Sequence, residues 1–279
     1  MMERRIGKGP SAGRWGDLGL RAASAAVLGP VALFCLWYGG PAWAALVALA
    51  AVGLGLEWSA LCGAPLGRGA SGAVPLALAA ALLLAGWATI LGHPVVAVVV
   101  LVVGGGGTGA LGRRWAPVWG VAYLGLAVMA LAWLRADPVA GRANVLFVLL
   151  IVWASDIGAY VAGRLIGGPK LAPRISPAKT WSGAIGGLVA AVAAGGAAVW
   201  GLDDGVPWQT IPVAALLSIA SQGGDLFESA LKRHYGVKDS GRLIPGHGGL
   251  FDRLDGLVAA APMAALLAIL LGRGMVLWQ

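Results

Sequence analysis

Long apolar stretches of similar length recur along the whole chain, and short polar segments separate them. A helix needs roughly 20 apolar residues to cross a bilayer, and about 17 are tolerated. This criterion selects nine stretches: 22–38, 42–61, 73–91, 94–108, 116–134, 144–163, 182–200, 210–229 and 254–272. The fourth is the shortest and ends in a glycine run, 104–107. The pattern predicts an all-α, polytopic integral membrane protein with about nine transmembrane helices.

The same pattern divides the chain into three parts. We assign residues 1–20 to a basic amphipathic N-terminal segment, 21–140 to N-terminal transmembrane helices and 141–279 to a C-terminal catalytic transmembrane region. The first part mixes basic side chains with Trp15 and several aliphatic residues. It therefore either rests on an anionic membrane surface or is a disordered basic tail.

The positions of lysine and arginine predict the orientation, because cytoplasmic loops collect these residues. If the N-terminus is inside and the spans alternate, only Arg135, Arg142 and Arg273 fall outside. Leaving out the fourth span would move the most basic loops outside, against the rule. We therefore expect the N-terminus and the two polar loops 164–181 and 230–253 on the cytoplasmic face of the plasma (inner) membrane, where they form one cytoplasm-facing polar site.

Composition supports the membrane class and argues against one alternative. The chain is 59% hydrophobic and 11% charged, and its mean hydropathy is +0.82. A formal net charge of +8 can indicate a nucleic-acid partner. Here the basic residues are scattered between apolar spans and do not form one face, so we expect no nucleic acid among the partners.

Charge is concentrated in residues 229–255, close to two apolar spans, where it is costly unless it performs chemistry or lies in water. Asp225 and Glu228 are three residues apart and share one helix face just before this stretch, and Asp252 and Asp255 repeat the spacing at its end. If the two pairs meet, their oxygens suit a hard divalent cation such as Mg²⁺.

Cations and a glycine-rich turn lie between these pairs. The residues that can offset phosphate charge are Lys232, Arg233, Lys238 and Arg253. The turn contains His247, Gly248 and Gly249, and its glycines allow the backbone to approach a ligand closely. Salt bridges within a solvated loop are the alternative interpretation.

A second polar segment follows the sixth apolar stretch. Asp156 lies within that stretch on one stripe with Tyr160 and Gly163, so we expect its carboxylate to be buried between helices against a cation or hydrogen-bond donors. The following loop contains Ser176, Lys179 and Thr180 just before the next span, a combination that suits phosphate binding. An ordinary cytoplasmic loop would explain the cations but not Asp156.

Glu57 is a carboxylate at the inner end of the second span, beside Trp58. A carboxylate at that depth needs a cationic partner. Glu57 therefore either supports the polar site or is simply exposed at the membrane interface.

Two patterns resemble a known family. Residues 229–255 read S-x-L-K-R, four residues, K-D-x-G, two residues, then I-P-x-H-G-G-L-x-D-R-L-D. Residues 224–229 read GDLFES, and 156–180 are also similar. On these motifs the chain resembles the phosphatidate cytidylyltransferases, also called CDP-diacylglycerol synthases, over about its last 130 residues.

The resemblance implies transfer of the cytidylyl group of CTP to phosphatidic acid, giving CDP-diacylglycerol and pyrophosphate, with Mg²⁺ and often K⁺. It also implies a multi-span homodimer in which Asp225 and Asp252 are the principal metal-binding carboxylates. The chain departs from the family at one position. After S-P-x-K-T the family commonly has Glu two residues on, whereas this chain has Ser182, which we expect to serve only as a helix N-cap.

These observations together assign roles to the polar residues. Asp225 and Asp252, helped by Glu228 and Asp255, are predicted to hold Mg²⁺ on the CTP phosphates. The predicted catalytic residues are Asp225, Asp252, Lys232, Arg233, Lys238 and Arg253. The predicted substrate-binding residues are Asp156, Ser176, Lys179, Thr180, His247, Gly248 and Gly249. Two alternatives stay open: a CTP-dependent lipid kinase of similar architecture, and an ion-coupled membrane transporter.

Overall fold

In the part of the chain that the structure describes, nine long helices occupy the positions that the apolar pattern predicts. The computed structural model describes residues 14–279 except 68, 70, 203–206, 245, 247, 273 and 279, so the predicted N-terminal segment lies largely outside the described residues. The helices are α1 (Arg14–Tyr38), α2 (Gly40–Leu61), α3 (Val74–Ile90), α4 (Pro94–Gly112), α5 (Ala116–Ala136), α6 (Gly141–Leu165), α7 (Trp181–Leu202), α8 (Thr210–His234) and α9 (Phe251–Leu271).

Among the described residues, seven helical segments are long and apolar enough to cross a membrane: α2, α3 together with the 3₁₀ turn that precedes it (Ser71–Ile90), α4 to α7, and α9. The apolar part of α1, Ala26–Tyr38, is shorter, and α8 carries polar and charged side chains in its last turns. The chain is therefore an all-α, multi-pass membrane protein, as predicted.

The fourth apolar stretch forms one continuous helix. α4 has 19 residues, which at 1.5 Å per residue gives about 28 Å, close to the thickness of the hydrocarbon core. Its glycines make close contacts with neighbouring helices: a Cβ on Gly104 would lie 2.5 Å from that of Ala81, and one on Gly109 would lie 2.7 Å from Val118. The glycine run is thus part of the helix, and Gly104 is the residue of the run that packs most closely on a neighbouring helix.

Large aliphatic side chains fill the first half of the bundle, and small residues pack α6 against α7. Leu78, Leu82 and Leu124 are fully buried between α3 and its neighbours. Gly158 of α6 lies so close to α7 that a Cβ on it would be 2.8 Å from the Gly186 carbonyl oxygen. Close backbone approach of this kind is common between membrane helices.

An antiparallel hairpin, β1 (Lys170–Ala172) and β2 (Ser176–Thr180), connects α6 to α7. The apolar pattern does not predict it. Thr180 ends β2 and caps α7, because its Oγ1 accepts a 3.1 Å hydrogen bond from the Gly183 amide. The prediction that Ser182 is the N-cap is therefore wrong: the Ser182 hydroxyl instead donates to the Gly167 carbonyl oxygen.

Candidate active site

The two polar segments identified in the sequence lie against each other. Lys179, at the end of the hairpin, forms an ion pair with Asp225 of α8. Arg233, five residues after Glu228, donates from its Nε to the carbonyl oxygen of Ile175 at 3.4 Å. The hairpin thus supplies one wall of a polar site, and the ends of α8 and α9 supply another.

Three carboxylates of this site form a compact group. One oxygen from each of Asp225, Glu228 and Asp255 lies within 4.8 Å of the other two. Glu228 is 1% exposed, and its Oε1 is buried with no hydrogen-bond partner among the described residues. Buried polar atoms normally have a partner, and carboxylate oxygens are the ligands that Mg²⁺ prefers. The group therefore fits a hard divalent cation.

Close packing of α8 on α9 brings these carboxylates together. Gly224 touches the backbone of α9, because a Cβ there would lie 2.5 Å from the carbonyl oxygen of Asp255. Gly256 in turn leaves room for the side chain of Ser221. Only small residues at these two contacts allow the acidic ends of the helices to meet.

Lys232 links this group to the fourth predicted carboxylate. Its Nζ lies 2.6 Å from Glu228 Oε2 and 2.7 Å from Asp252 Oδ1. Asp252 Oδ2 accepts hydrogen bonds from the amides of Ser240 and Gly249, both at 3.0 Å. Asp252 thus lies beside the three-carboxylate group and not within it, and a metal-binding role for Asp252 stays a prediction.

Two cavities share Asp156 and Asp225. The first, of about 430 Å³, is lined mainly by apolar area from α6, α7, α8 and the hairpin and includes Lys179, Thr180 and Arg164. The second, of about 320 Å³, is lined by Asp156, Asp225, Glu228, Lys232, Asp239, Asp252, Arg253 and Asp255. Asp156 is exposed and faces both cavities, so the expected burial of its side chain between helices is wrong.

None of the other predicted residues that the structure describes lines either of these cavities. Ser176, Arg233 and Lys238 are absent from both linings, and Arg233 and Lys238 are exposed. His247 lies outside the described residues. Gly248 pairs with Ile244 through two backbone hydrogen bonds, 2.9 and 3.2 Å long, and has φ = +88°, which favours glycine.

Gly249 is required by its surroundings. It is buried, and a Cβ there would collide with the hydroxyl of Ser240 and lie 2.8 Å from Asp252 Oδ2. Glycine at this position therefore allows the backbone to approach Asp252, whereas the expected approach of the turn to a ligand stays a prediction.

Glu57 reaches the site from the first half of the chain. It is 4% exposed, and its carboxylate accepts hydrogen bonds from the amides of Leu250 and Phe251, both at 2.8 Å. The expected cationic partner is therefore replaced by backbone N–H groups at the start of α9. The interpretation of Glu57 as an exposed interfacial residue is wrong.

Four aromatic rings pack beside Glu57 and the carboxylates. Trp58 lies 5.7 Å from Phe251 and 6.5 Å from Phe227, and Tyr123 lies 4.9 Å from Phe227, all measured between ring centroids. The indole N–H of Trp58 donates to the Ala116 carbonyl oxygen at 2.9 Å. Sequence reasoning did not select Tyr123 or Phe227. The one available signal for Tyr123 is a lone phenol inside an apolar span.

Curated proteins with similar sequences share one name. A protein of Brucella suis biovar 1 (strain 1330) is 55% identical over 156 residues, which cover 56% of this chain and 57% of that protein. A protein of Staphylococcus haemolyticus (strain JCSC1435) is 44% identical over 150 residues, covering 53% and 56%. Both are named phosphatidate cytidylyltransferase. The matches thus span little more than half the length of these relatives.

The family match covers far more of the chain. The model of the cytidylyltransferase family matches residues 19–271, which include all nine helices except the first residues of α1. The chain therefore belongs to the cytidylyltransferase family.

Proposed function

We propose that this protein transfers the cytidylyl group of CTP to phosphatidic acid and forms CDP-diacylglycerol and pyrophosphate. The observation that carries the proposal is the three-carboxylate group of Asp225, Glu228 and Asp255 at the junction of a polar and a mainly apolar cavity. A nucleotide needs the first environment and a lipid needs the second. Family membership and the names of the relatives support the same reaction.

The substrate brings its own nucleophile in this reaction. A phosphate oxygen of phosphatidic acid forms a bond to the α-phosphorus of CTP, and the bond from that phosphorus to the β-phosphate bridging oxygen breaks, so pyrophosphate leaves. The protein therefore needs no serine or cysteine nucleophile. Its residues position the two phosphates and stabilise the negative charge that builds up on them.

Asp225, Glu228 and Asp255 are the residues that would hold Mg²⁺. The bound ion would offset the charge of the CTP phosphates. Asp252 is the fourth predicted ligand, and in this structure Lys232 and two amides engage its oxygens. K⁺, which the family resemblance implies as a frequent second cation, remains part of the proposal.

Basic side chains stand on both sides of the carboxylates. Lys179 and Arg164 line the mainly apolar cavity, where they can bind the phosphate of a lipid whose chains stay in the bilayer. Lys232 and Arg253 line the polar cavity, where they can offset charge on CTP and pyrophosphate. In this arrangement lipid enters sideways from the membrane and CTP enters from water.

The proposal also covers the membrane location and the oligomeric state of the protein. The protein resides in the inner (plasma) membrane with its N-terminus and the active site facing the cytoplasm, where CTP is available. It works as a homodimer, and its partners are CTP, phosphatidic acid and membrane lipid.

A product assay tests the reaction directly. The purified protein in lipid–detergent micelles is incubated with phosphatidic acid, Mg²⁺ and CTP labelled at the α-phosphorus. We expect label in a CDP-lipid and an equal amount of pyrophosphate. Release of CDP with label-free lipid would indicate the lipid kinase. If no CTP is consumed, the ion-coupled transporter is the remaining alternative.

Carboxylate variants test the assignment of the site. Asp225→Asn and Asp252→Asn should each lower the rate of CDP-lipid formation at least 100-fold, because each removes a charge that the site needs. Asp137→Asn is the matched control, since Asp137 lies in the turn between α5 and α6 at the far end of α6. Near-wild-type rates for both site variants, with folding confirmed, would contradict the assignment.

A further inference from the structure

Glu57 is the carboxylate nearest the site that comes from the first half of the chain. Its Oε1 accepts from the Leu250 amide, and its Oε2 accepts from the Phe251 amide at 2.8 Å and, less closely, from the Ser240 hydroxyl at 3.4 Å. Both oxygens therefore bind the segment that leads into α9. Gly241 is packed against the same carboxylate, because a Cβ there would lie 2.5 Å from Oε1.

The chemistry of these contacts is favourable for a buried anion. An isolated buried carboxylate is costly, whereas hydrogen bonds from N–H groups to an ionised acceptor are short and strong. Leu250 is the N-cap of α9 and Phe251 is its first residue, so their amides also lie at the positive end of the helix dipole. Glu57 thus fixes both the position and the direction of the start of α9.

The residues that Glu57 holds are neighbours of those that hold Asp252. The amides of Ser240 and Gly249 bind Asp252 Oδ2 at 3.0 Å, and Glu57 contacts Ser240 and Leu250. Asp252 in turn binds Lys232. A continuous series of contacts therefore runs from α2 through the loop to the carboxylate and lysine of the polar cavity.

We propose that Glu57 is a positioning residue of the active site, which acts through the loop at 240–250 to orient Asp252. The predicted effect on kcat rests on the proposed function, whereas the predicted effect on the loop does not. In this proposal, the effect of Glu57 on the reaction passes through the two amides that bind Asp252.

Glu57→Gln tests the proposal with almost no change in volume. The amide places an NH₂ donor where one oxygen accepted a hydrogen bond, so one backbone N–H loses its acceptor. We expect kcat to fall about 10- to 100-fold, the range typical of residues that orient ligands of a metal site. Amide hydrogen exchange in the loop peptide should become faster, and this second readout needs no activity. Glu57→Asp keeps the charge and should retain more activity than Glu57→Gln.

A double variant separates positioning from general stability. If Glu57 acts through Asp252, Glu57→Gln combined with Asp252→Asn should be no slower than Asp252→Asn alone, within about twofold. Independent effects that multiply would overturn the proposal. So would wild-type kcat and wild-type loop exchange in Glu57→Gln.

Asn144→Ala is the matched control for stability. Asn144 is also buried and also makes two backbone hydrogen bonds, to Met275 and Leu277, at the far end of the molecule. It should lower the thermal midpoint and leave kcat and loop exchange unchanged. If wild type forms no CDP-lipid, the proposed reaction fails, and the exchange comparison still decides whether Glu57 holds the loop.

Discussion

Lys232 is shared by two carboxylates, which makes it the central ion of the polar cavity. Its side chain is 13% exposed, and those of Glu228 and Asp252 are 1% and 11% exposed. Ion pairs at this depth contribute little net stability, because desolvation offsets their attraction. Removing one partner, however, leaves the other charges buried and unpaired. The charge of Lys232 therefore determines how unfavourable it is to bury the carboxylates of Glu228 and Asp252 side by side.

Lys232→Met should lower the free energy of unfolding by about 3–5 kcal/mol, because Glu228 and Asp252 lose their shared cation. The midpoint of thermal unfolding in micelles, followed by tryptophan fluorescence, measures the change. Mg²⁺ should restore part of the loss in this variant by supplying positive charge. Lys170→Met, an exposed lysine of β1, should change stability by no more than about 0.5 kcal/mol. Equal stability of the two variants would contradict the central role of Lys232.

At the scale of helices, the contact between α8 and α9 decides where the acids lie. The two helices meet through Gly224 and Gly256, and each begins or ends with an i, i+3 carboxylate pair. The two members of the second pair, Asp252 and Asp255, belong to different groups in the structure. Asp225, Glu228 and Asp255 form one group, whereas Asp252 joins Lys232 and the loop amides.

Two adjacent glycines of α8 allow a matched test of this contact. A Cβ at residue 224 would lie 2.5 Å from a carbonyl oxygen of α9, whereas one at 223 would meet nothing within 4 Å. Gly224→Ala should therefore cost about 1–3 kcal/mol through overpacking. Gly223→Ala should gain up to about 1 kcal/mol, because alanine favours the helix. Thermal unfolding compares them, and equal effects would argue against the close contact.

Local patterns predict the helices well and the loop contacts poorly. In the described part of the chain, the nine apolar stretches coincide with nine helices, because the thickness of the bilayer sets the length of apolar sequence that a span needs. The hairpin after α6 was missed because β2 has only five residues and lies among prolines, which are typical of turns. So short a segment shows no alternation of apolar and polar residues. Thr180 caps α7 where Ser182 was expected, because the register of a helix start depends on the preceding strand. The donors that reach Glu57 are backbone groups, which no side-chain pattern reveals.

At the scale of the whole molecule, both polar segments lie at one end of the bundle. The hairpin contacts α8 through Lys179 and Asp225, while Asp137 and Val139 lie in the turn at the opposite end of α6. Val139 is 78% exposed, and Arg174 at the hairpin turn is also exposed. These two positions therefore report the sidedness of the protein in a membrane.

Cysteine labelling tests the proposed orientation. In a background with Cys35→Ala and Cys62→Ala, Val139→Cys should react with a membrane-impermeant maleimide in intact spheroplasts. Arg174→Cys should react only after the membrane is permeabilised, because the active site is proposed to face the cytoplasm. The reverse pattern of labelling would place the polar site outside and would contradict the proposal.

The hydrogen bonds of Glu57 join residues 193 and 194 positions apart. Helices of a membrane protein enter the bilayer during synthesis, in the order in which they are translated, so α2 is in place long before α9 exists. Throughout that interval the carboxylate of Glu57 lacks the two amides that bind it in the complete fold. Its burial can be completed only when the last helix is inserted. A nascent chain that stops short of α9 therefore differs from the complete protein in having an acidic group, Glu57, without its backbone donors.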